Sequence, residues 1–165
     1  MVASRYHAPP LAPLALSAVG ALAMVAAEGL LGGKTMFGLP LQVVALVVVS
    51  VTLVGAALQA ALLHYRGAFN NPLMYAPLTT PLLAAAAVPW LIATRGDVAA
   101  TSVSVLLWAT FLVGFVGLGM HLRGFDRMMG GLRVALPNVL EGPAMTAPAL
   151  FTGFAAAGLA ALYLL

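Results

Sequence analysis

Two histidines and two arginines occur in the same short pattern at two places in the chain. His64 and Arg66 belong to the first H-x-R-G pattern, and His121 and Arg123 belong to the second. A neutral imidazole binds transition metals and haem iron, and it also hydrogen-bonds to small ligands. A guanidinium group makes charge-assisted hydrogen bonds to carboxylates such as haem propionates. The two histidines are therefore candidate metal ligands, and all four residues are candidate cofactor-binding residues.

A second pattern, P-x-M-x-A-P, follows each H-x-R-G. Its copies span residues 72–77 and 143–148, and an insertion at roughly 126–140 lengthens the second copy of the unit. Patterns that recur in a fixed order indicate an internal repeat. The sequence therefore predicts two related units, each a helix that ends in H-x-R-G followed by a helix that begins with Ala-Pro.

The composition predicts an all-α integral membrane protein. Of the 165 residues, 63% are hydrophobic and only 7% are charged. A soluble domain has about 25% charged residues, so this chain cannot cover a globule with polar surface. The formal charge of +3 is too small to indicate binding to nucleic acid.

The lack of cysteine limits the possible chemistry. It excludes disulfides, thiolate nucleophiles, iron–sulfur clusters and cysteine zinc sites. Any metal or haem ligand must come from His, Met, Tyr or carboxylates, and the chain has three histidines. The sequence also contains no recognisable nucleophile with its base, so we expect no catalytic activity of its own.

The apolar runs are long enough to cross a bilayer, which takes about 20 helical residues. They predict a single transmembrane domain, 1–165, with spans at about 11–31, 39–63, 75–94, 98–120 and 146–165. We expect five transmembrane helices in one bundle with an internal two-helix parallel repeat (helices 2–3 and 4–5). The first run could instead be a signal peptide. Its length and its Ala-Pro start, like those of the third and fifth runs, favour a span.

Both patterns have a physical reason to lie at helix ends. Proline is tolerated in the first helical turn, so Pro9, Pro77 and Pro148 mark three predicted starts. Basic side chains favour the last turn, and glycine just beyond it adopts the left-handed cap conformation. We therefore expect two helices to end at Gly67 and Gly124.

Basic residues predict the orientation, because cytoplasmic loops of membrane proteins are enriched in Lys and Arg. Lys34 and Arg95 lie on one side of the predicted topology. The other side, which includes the N-terminus, has Arg5, Arg66, Arg123, Arg127 and Arg133. We expect a multi-pass protein of the plasma (inner) membrane, with a cytoplasmic N-terminus and an extracytoplasmic C-terminus.

Other residues are expected to join the helices. The side chains of Gln42 and Ser50 can hydrogen-bond between helices, as polar residues do inside membranes. Gly114, Gly117 and Gly119 permit close approach of a neighbouring helix or a flat ring.

Three interpretations of the histidines remain open. Helices two and four run in the same direction, so His64 and His121 lie at similar depth, and neighbouring helices about 8–10 Å apart could place haem b between them. Alternatively, H-x-R-G is only a helix cap in the headgroup region. A quinone head is the third possibility, since Tyr65, Phe69 and Tyr75 supply aromatic rings nearby.

The sequence thus favours a small membrane subunit or anchor of a larger redox complex. Its expected partners are the lipid bilayer, other subunits and a quinone, and its expected cofactor is haem b. The alternative is a non-redox structural or assembly subunit without a cofactor. The segment from Phe125 to Arg133 mixes Arg, Met and Phe, which suits either a partner protein or anionic lipid.

Overall fold

A computed structural model describes residues 12–66, 68–128 and 146–164, and this part of the chain is all-helical apart from one short hairpin. The helices are α1 (Ala12–Leu30), α2 (Leu41–Arg66), α3 (Ala76–Thr94), α4 (Asp97–Met128) and α5 (Thr146–Leu164). A 3-10 helix, Pro72–Tyr75, leads into α3. The prediction of an all-α protein is confirmed.

Three helical segments are long and apolar enough to cross a membrane, which indicates a membrane protein. They are Leu41–Tyr65, Pro72–Thr94 and Asp97–Gly124. Two further apolar segments, Val19–Leu30 and Pro148–Tyr163, are shorter. The count of five spans therefore stays a prediction.

The outer surface of α2 has the pattern expected of a lipid-facing helix. Exposed apolar side chains recur every three or four residues, and they are Val47, Val51, Val54, Leu58 and Leu62. The opposite stripe of the same helix, which includes Val49, Leu53 and Ala57, is buried in the protein. This period places one face of α2 toward lipid and the other toward its neighbouring helices.

Helices α2 to α5 form a four-helix bundle. Both α2 and α4 pack against α3 and against α5, whereas α1 packs on α2. Consequently α2 and α4 occupy opposite corners of the bundle, and α3 and α5 occupy the other two. Every bundle helix contributes to one buried core, with Val49 and Leu53 from α2, Ala84 and Val88 from α3, Val103 and Leu107 from α4, and Phe151 and Phe154 from α5.

The contact between α4 and α5 depends on glycine. A Cβ atom on Gly114 would lie 2.7 Å from the carbonyl oxygen of Pro148 and 2.7 Å from the amide nitrogen of Thr152. One turn later, a Cβ on Gly117 would lie 3.2 Å from the Pro148 side chain, whereas one on Gly119 would meet no atom within 4 Å. The predicted close approach is confirmed at Gly114 and Gly117, but not at Gly119.

Side-chain hydrogen bonds join α2 to both of its bundle neighbours, as the sequence predicts. The Gln42 amide donates to the carbonyl oxygen of Ala161 in α5 at 3.1 Å. The Ser50 hydroxyl donates to the carbonyl oxygen of Ala85 in α3 at 2.9 Å. Because these donors lie among apolar helices, the bonds remove the cost of burying unpaired polar groups.

The connection between α1 and α2 is a β-hairpin that the sequence analysis did not predict. Strand β1 (Thr35–Met36) pairs antiparallel with β2 (Leu39–Pro40). The two turn residues, Phe37 and Gly38, have φ values of 53° and 76°. Positive φ at both positions is typical of a type I′ turn, which matches the twist of a two-residue hairpin.

Helix ends agree with the sequence patterns only in part. Pro77 and Pro148 lie in the first turns of α3 and α5, as predicted, whereas Pro9 and Gly67 lie outside the described residues. The predicted end at Gly124 is wrong, because α4 continues to Met128. A glycine inside a helix costs only about 1 kcal/mol, which the surrounding helical residues can offset. The internal repeat therefore remains a prediction.

The close contact at Gly114 predicts an asymmetry between two glycines of α4. We expect Gly114→Ala to lower the free energy of unfolding by roughly 1–3 kcal/mol, because the methyl group meets backbone atoms of α5 that cannot move aside. Thermal unfolding in a mild detergent measures the effect. Gly119→Ala is the matched control and should be neutral or slightly stabilising, and equal losses for both variants would contradict the described packing.

Candidate functional site

His64 lies in the last turn of α2, where a capping arrangement ends the helix. The Phe69 amide donates to the His64 carbonyl oxygen at 3.2 Å, and the Ala68 amide donates to the Tyr65 carbonyl oxygen at 3.0 Å. This pair of bonds is typical of a Schellman motif, whose left-handed position is usually glycine. Here alanine occupies that position, with φ of 55° at Ala68.

Phe69 also adopts a left-handed conformation, with φ of 47°. Positive φ is unfavourable for a bulky residue and is retained only where surrounding contacts impose it. The turn brings the Phe69 ring edge-on to His64, with centroids 6.1 Å apart and an interplanar angle of 62°. The same ring stacks on Tyr75 at 4.8 Å and 18°. We call His64, Phe69 and Tyr75 the aromatic cluster.

The 3-10 helix before α3 supports His64 from the other side. Asn71 caps this helix, since its side chain accepts a hydrogen bond from the Leu73 amide at 3.0 Å. The Met74 amide donates to the Asn71 carbonyl oxygen at 2.9 Å. The imidazole of His64 in turn interacts with the backbone of Met74. Capping of the 3-10 helix therefore holds the backbone that contacts the histidine.

His121 comes from α4, on the opposite corner of the bundle. It is half-buried, and a positive charge on its imidazole would act repulsively on that of His64. The sequence argument took α2 and α4 as adjacent helices, and this is wrong, because α3 and α5 separate them. With neighbouring helices about 8–10 Å apart, a square bundle has a diagonal of about 11–14 Å. The two imidazoles nevertheless lie within electrostatic range of each other.

One ring nitrogen of His64 is buried without a protein partner. Its Nδ1 atom is buried and has no hydrogen-bond partner among the described residues, and Nδ1 of His121 is buried as well. Leaving a buried polar atom unpaired costs about 1–3 kcal/mol, and such atoms are rare in folded proteins. The unpaired imidazole nitrogen of His64 is therefore the strongest indication of a binding site among the described residues.

The other predicted site residues are less closely associated with this pair. Arg123 follows His121 on α4 and has an exposed side chain. Arg66 is the last residue of α2, and the position of its side chain lies outside the described part of the chain. Tyr65 is 74% exposed and does not belong to the aromatic cluster. The roles of the four His and Arg residues therefore stay predictions.

The donor set limits the kind of metal centre. Within residues 12–66, 68–128 and 146–164, no three His, Asp or Glu side chains group together as metal ligands. Two imidazoles without a third ligand could be the two axial ligands of a haem. They could instead be two hydrogen-bonding groups for a ring-shaped organic ligand. Comparisons with protein-family models, curated proteins and solved structures gave no significant match.

Sequence analysis named Phe69 and Tyr75 but did not predict their stacking or the turn that produces it. The residues Asn70, Asn71 and Pro72 are a turn signal, since Asn tolerates left-handed backbone and Pro favours a helix start. That signal marks the turn, but it does not indicate that the preceding residue, Phe69, has positive φ. Only the fold shows that this ring returns to His64.

The left-handed alanine predicts a stabilising substitution. Ala68→Gly should raise the free energy of unfolding by about 0.5–1 kcal/mol, because glycine adopts positive φ without the steric cost that a Cβ atom causes. Ala56→Gly, in the interior of α2, is the control and should lower stability by a similar amount. Thermal unfolding of both variants tests the cap, and destabilisation by Ala68→Gly would contradict it.

Proposed function

We propose that the chain is a small integral membrane subunit, or anchor, of a larger redox complex, and that His64 and His121 hold haem b or a quinone at one end of its bundle. One observation carries this proposal. The buried Nδ1 atom of His64 lacks a hydrogen-bond partner among the described residues, and a second imidazole, that of His121, lies within electrostatic range of the ring. A ligand that hydrogen-bonds to this nitrogen would remove the cost of burying it unpaired.

Haem b suits the pair because its iron accepts two axial imidazoles and needs no cysteine. His64 and His121 would be the axial ligands, and Arg66 and Arg123 are placed in sequence to reach propionates near the membrane surface. Bundles of helices build such sites from side chains on facing helices. When bound, haem supplies one-electron transfer to or from a partner subunit.

A quinone suits the same end of the bundle because binding pockets for small rings are mostly apolar with few polar groups. The aromatic cluster supplies the apolar surface, and the imidazoles supply hydrogen bonds. Tyr75 and Leu62 are 51% and 50% exposed near this end, so an apolar tail could pass from the site into surrounding lipid.

A structural or assembly role is the second candidate, and the capping arrangement favours it. His64 lies at the third position from the end of α2, where its carbonyl oxygen is part of the Schellman motif. Arg123 is exposed, as expected of a side chain that contacts lipid phosphates. In this role the histidines stabilise helix ends and bind no cofactor.

Analysis of the purified protein separates the two candidates. We expect the full-length chain, expressed with haem supply and extracted in mild detergent, to carry either a Soret band or an extractable quinone in near-stoichiometric amount. His64→Ala and His121→Ala should each reduce that cofactor at least tenfold, because each removes one of the paired groups. A colourless preparation without quinone that unfolds cooperatively would contradict the redox proposal and favour the structural role.

The proposed topology puts the histidine end in the cytoplasm. That end carries Arg66 and Arg123, whereas Lys34 and Arg95 lie at the opposite end of the helices. Alkaline phosphatase, active only outside the cytoplasm, should be inactive when fused after Met128 and active when fused after Gly96. The reverse pattern would contradict the proposed orientation, and activity at both positions would contradict the crossing of α4.

A further inference from the structure

Large apolar side chains are exposed where α1 connects to α2, at the end of the bundle opposite the histidines. Leu30 is 89% exposed, Leu31 and Phe37 are each 85% exposed, and Leu39 is 51% exposed. We call these four residues the hairpin patch. Exposed apolar patches mark surfaces that meet another protein or a membrane. The hairpin patch is therefore a candidate interaction surface.

Phe37 has an unfavourable conformation that the protein itself does little to offset. It occupies the first turn position of the hairpin with φ of 53°, where Asn, Asp or Gly is preferred. A bulky residue keeps a positive φ where its surroundings offset the cost. The neighbouring Met36 packs against the buried core, whereas most of the Phe37 ring is uncovered. The conformation of Phe37 thus points to an apolar environment outside the chain.

The backbone of this connection forms its hydrogen bonds internally. The amides of Leu31, Gly32 and Gly33 donate to carbonyl oxygens in the last turn of α1, at 3.0, 3.1 and 2.9 Å. The Leu41 amide donates to the Lys34 carbonyl oxygen at 2.9 Å, which closes the base of the hairpin. Backbone groups without such partners are costly where water is scarce. The connection can therefore enter the boundary of the acyl chains without breaking hydrogen bonds to water at these amides.

The length of α2 places the hairpin at the membrane surface. The apolar segment Leu41–Tyr65 has 25 residues and is about 37 Å long. The hydrocarbon core is about 30 Å thick, and the headgroup layer on each side adds about 5–7 Å. Leu41 therefore begins in the headgroup layer. A strand of two residues extends about 7 Å, so the hairpin fits within that layer.

The hairpin also continues the lipid-facing surface of α2. The exposed apolar stripe of α2 runs from Val47 to Leu62 in steps of three or four residues. Continued toward the N-terminus by one step of four residues and one of three, the same period reaches Pro40, the exposed end of β2. Lys34, at the base of the hairpin, is exposed, and its ammonium group can extend to lipid phosphates. An apolar patch next to a cation, continuous with a lipid-facing stripe, fits phospholipid better than a partner protein.

We infer that the hairpin between α1 and α2 is a lipid anchor that inserts the hairpin patch into the boundary between acyl chains and headgroups, with Lys34 at the phosphates. Phe37, at the tip, is the principal anchoring side chain. This inference concerns the opposite end of the bundle from the histidines. It holds whether or not they bind a cofactor.

Spin labels on single cysteines measure the depth of the hairpin, because the chain contains no cysteine of its own. Phe37→Cys carries the label at the tip. Val51→Cys, 68% exposed on the lipid-facing stripe, is the control within the bilayer. Asp97→Cys, exposed at the start of α4 on the same side of the membrane as the hairpin, is the control in water. The full-length protein is placed in vesicles of phosphatidylcholine and phosphatidylglycerol, and collisions of each label with oxygen and with a water-soluble nickel chelate are compared.

We expect the Phe37 label to collide more with oxygen than with the chelate, as the Val51 label does, and the Asp97 label to show the opposite preference. Oxygen concentrates among acyl chains, whereas the chelate stays in water. A preference for the chelate at Phe37 would overturn the anchor. Shielding of the Phe37 label from both reagents would overturn the assignment to lipid and indicate cover by a second copy of the chain.

A second variant tests the anchoring role of Phe37 with its own side chain as the variable. Phe37→Asn suits the type I′ turn, so it keeps the hairpin while removing the apolar ring. With the label on Leu39→Cys, the preference for oxygen should be present with Phe37 and should fall toward that of the Asp97 label with Phe37→Asn. An unchanged preference would overturn the role of Phe37 as principal anchor. Thermal unfolding of each variant shows whether the protein remains folded.

Discussion

The contact of α4 with the first turn of α5 at Gly114 determines how the bundle is arranged. Inside a membrane, helices gain little from the hydrophobic effect when they associate, so close packing of small residues and hydrogen bonds must hold them together. Gly114 lets the α5 backbone approach to a distance that any side chain would prevent. With α4 fixed against α5 and α3, it lies opposite α2, and the histidines come from opposite corners.

The end of α2 then determines what the histidines meet. Ala68 and Phe69 turn the chain through left-handed backbone, and the ring of Phe69 folds back onto His64. Asn71 begins the 3-10 helix whose Met74 backbone contacts the same imidazole. One histidine is thus oriented by a ring and a backbone group while its Nδ1 stays unpaired by the described residues. An unpaired nitrogen in apolar surroundings is costly unless a ligand completes its hydrogen bond.

Local features of the sequence predicted the helices but not their arrangement. Apolar runs indicated the approximate positions of all five helices, and Pro77 and Pro148 marked two helix starts. Both signals are local, because hydropathy and the lack of a backbone N–H in proline act within a few residues. The diagonal placement of α2 and α4 depends on contacts between distant segments, which the repeat could not reveal. The two H-x-R-G patterns also behave differently, since α2 ends at the first and α4 passes through the second.

The candidate site, too, was predictable from the sequence only in part. Its residues His64 and His121 were identifiable from their repeated context, and Phe69 and Tyr75 from their proximity in sequence. The positive φ of Phe69 was not, because a bulky residue rarely adopts it and only tertiary contacts impose it. Hence the candidate residues could be suggested from the sequence, whereas the contacts around them required the fold.

Cross-linking across the bundle axis tests the central claim most directly. The chain contains no cysteine, so His64→Cys combined with His121→Cys gives a single reactive pair. A short bifunctional thiol reagent should link this pair within one chain, detected as the intact mass of a bridged monomer. His64→Cys combined with Phe115→Cys, whose side chain is 64% exposed on α4, is the control and should take up two separate reagent molecules. Failure of the first pair to bridge, or equal bridging of both pairs, would contradict convergence of the two histidines.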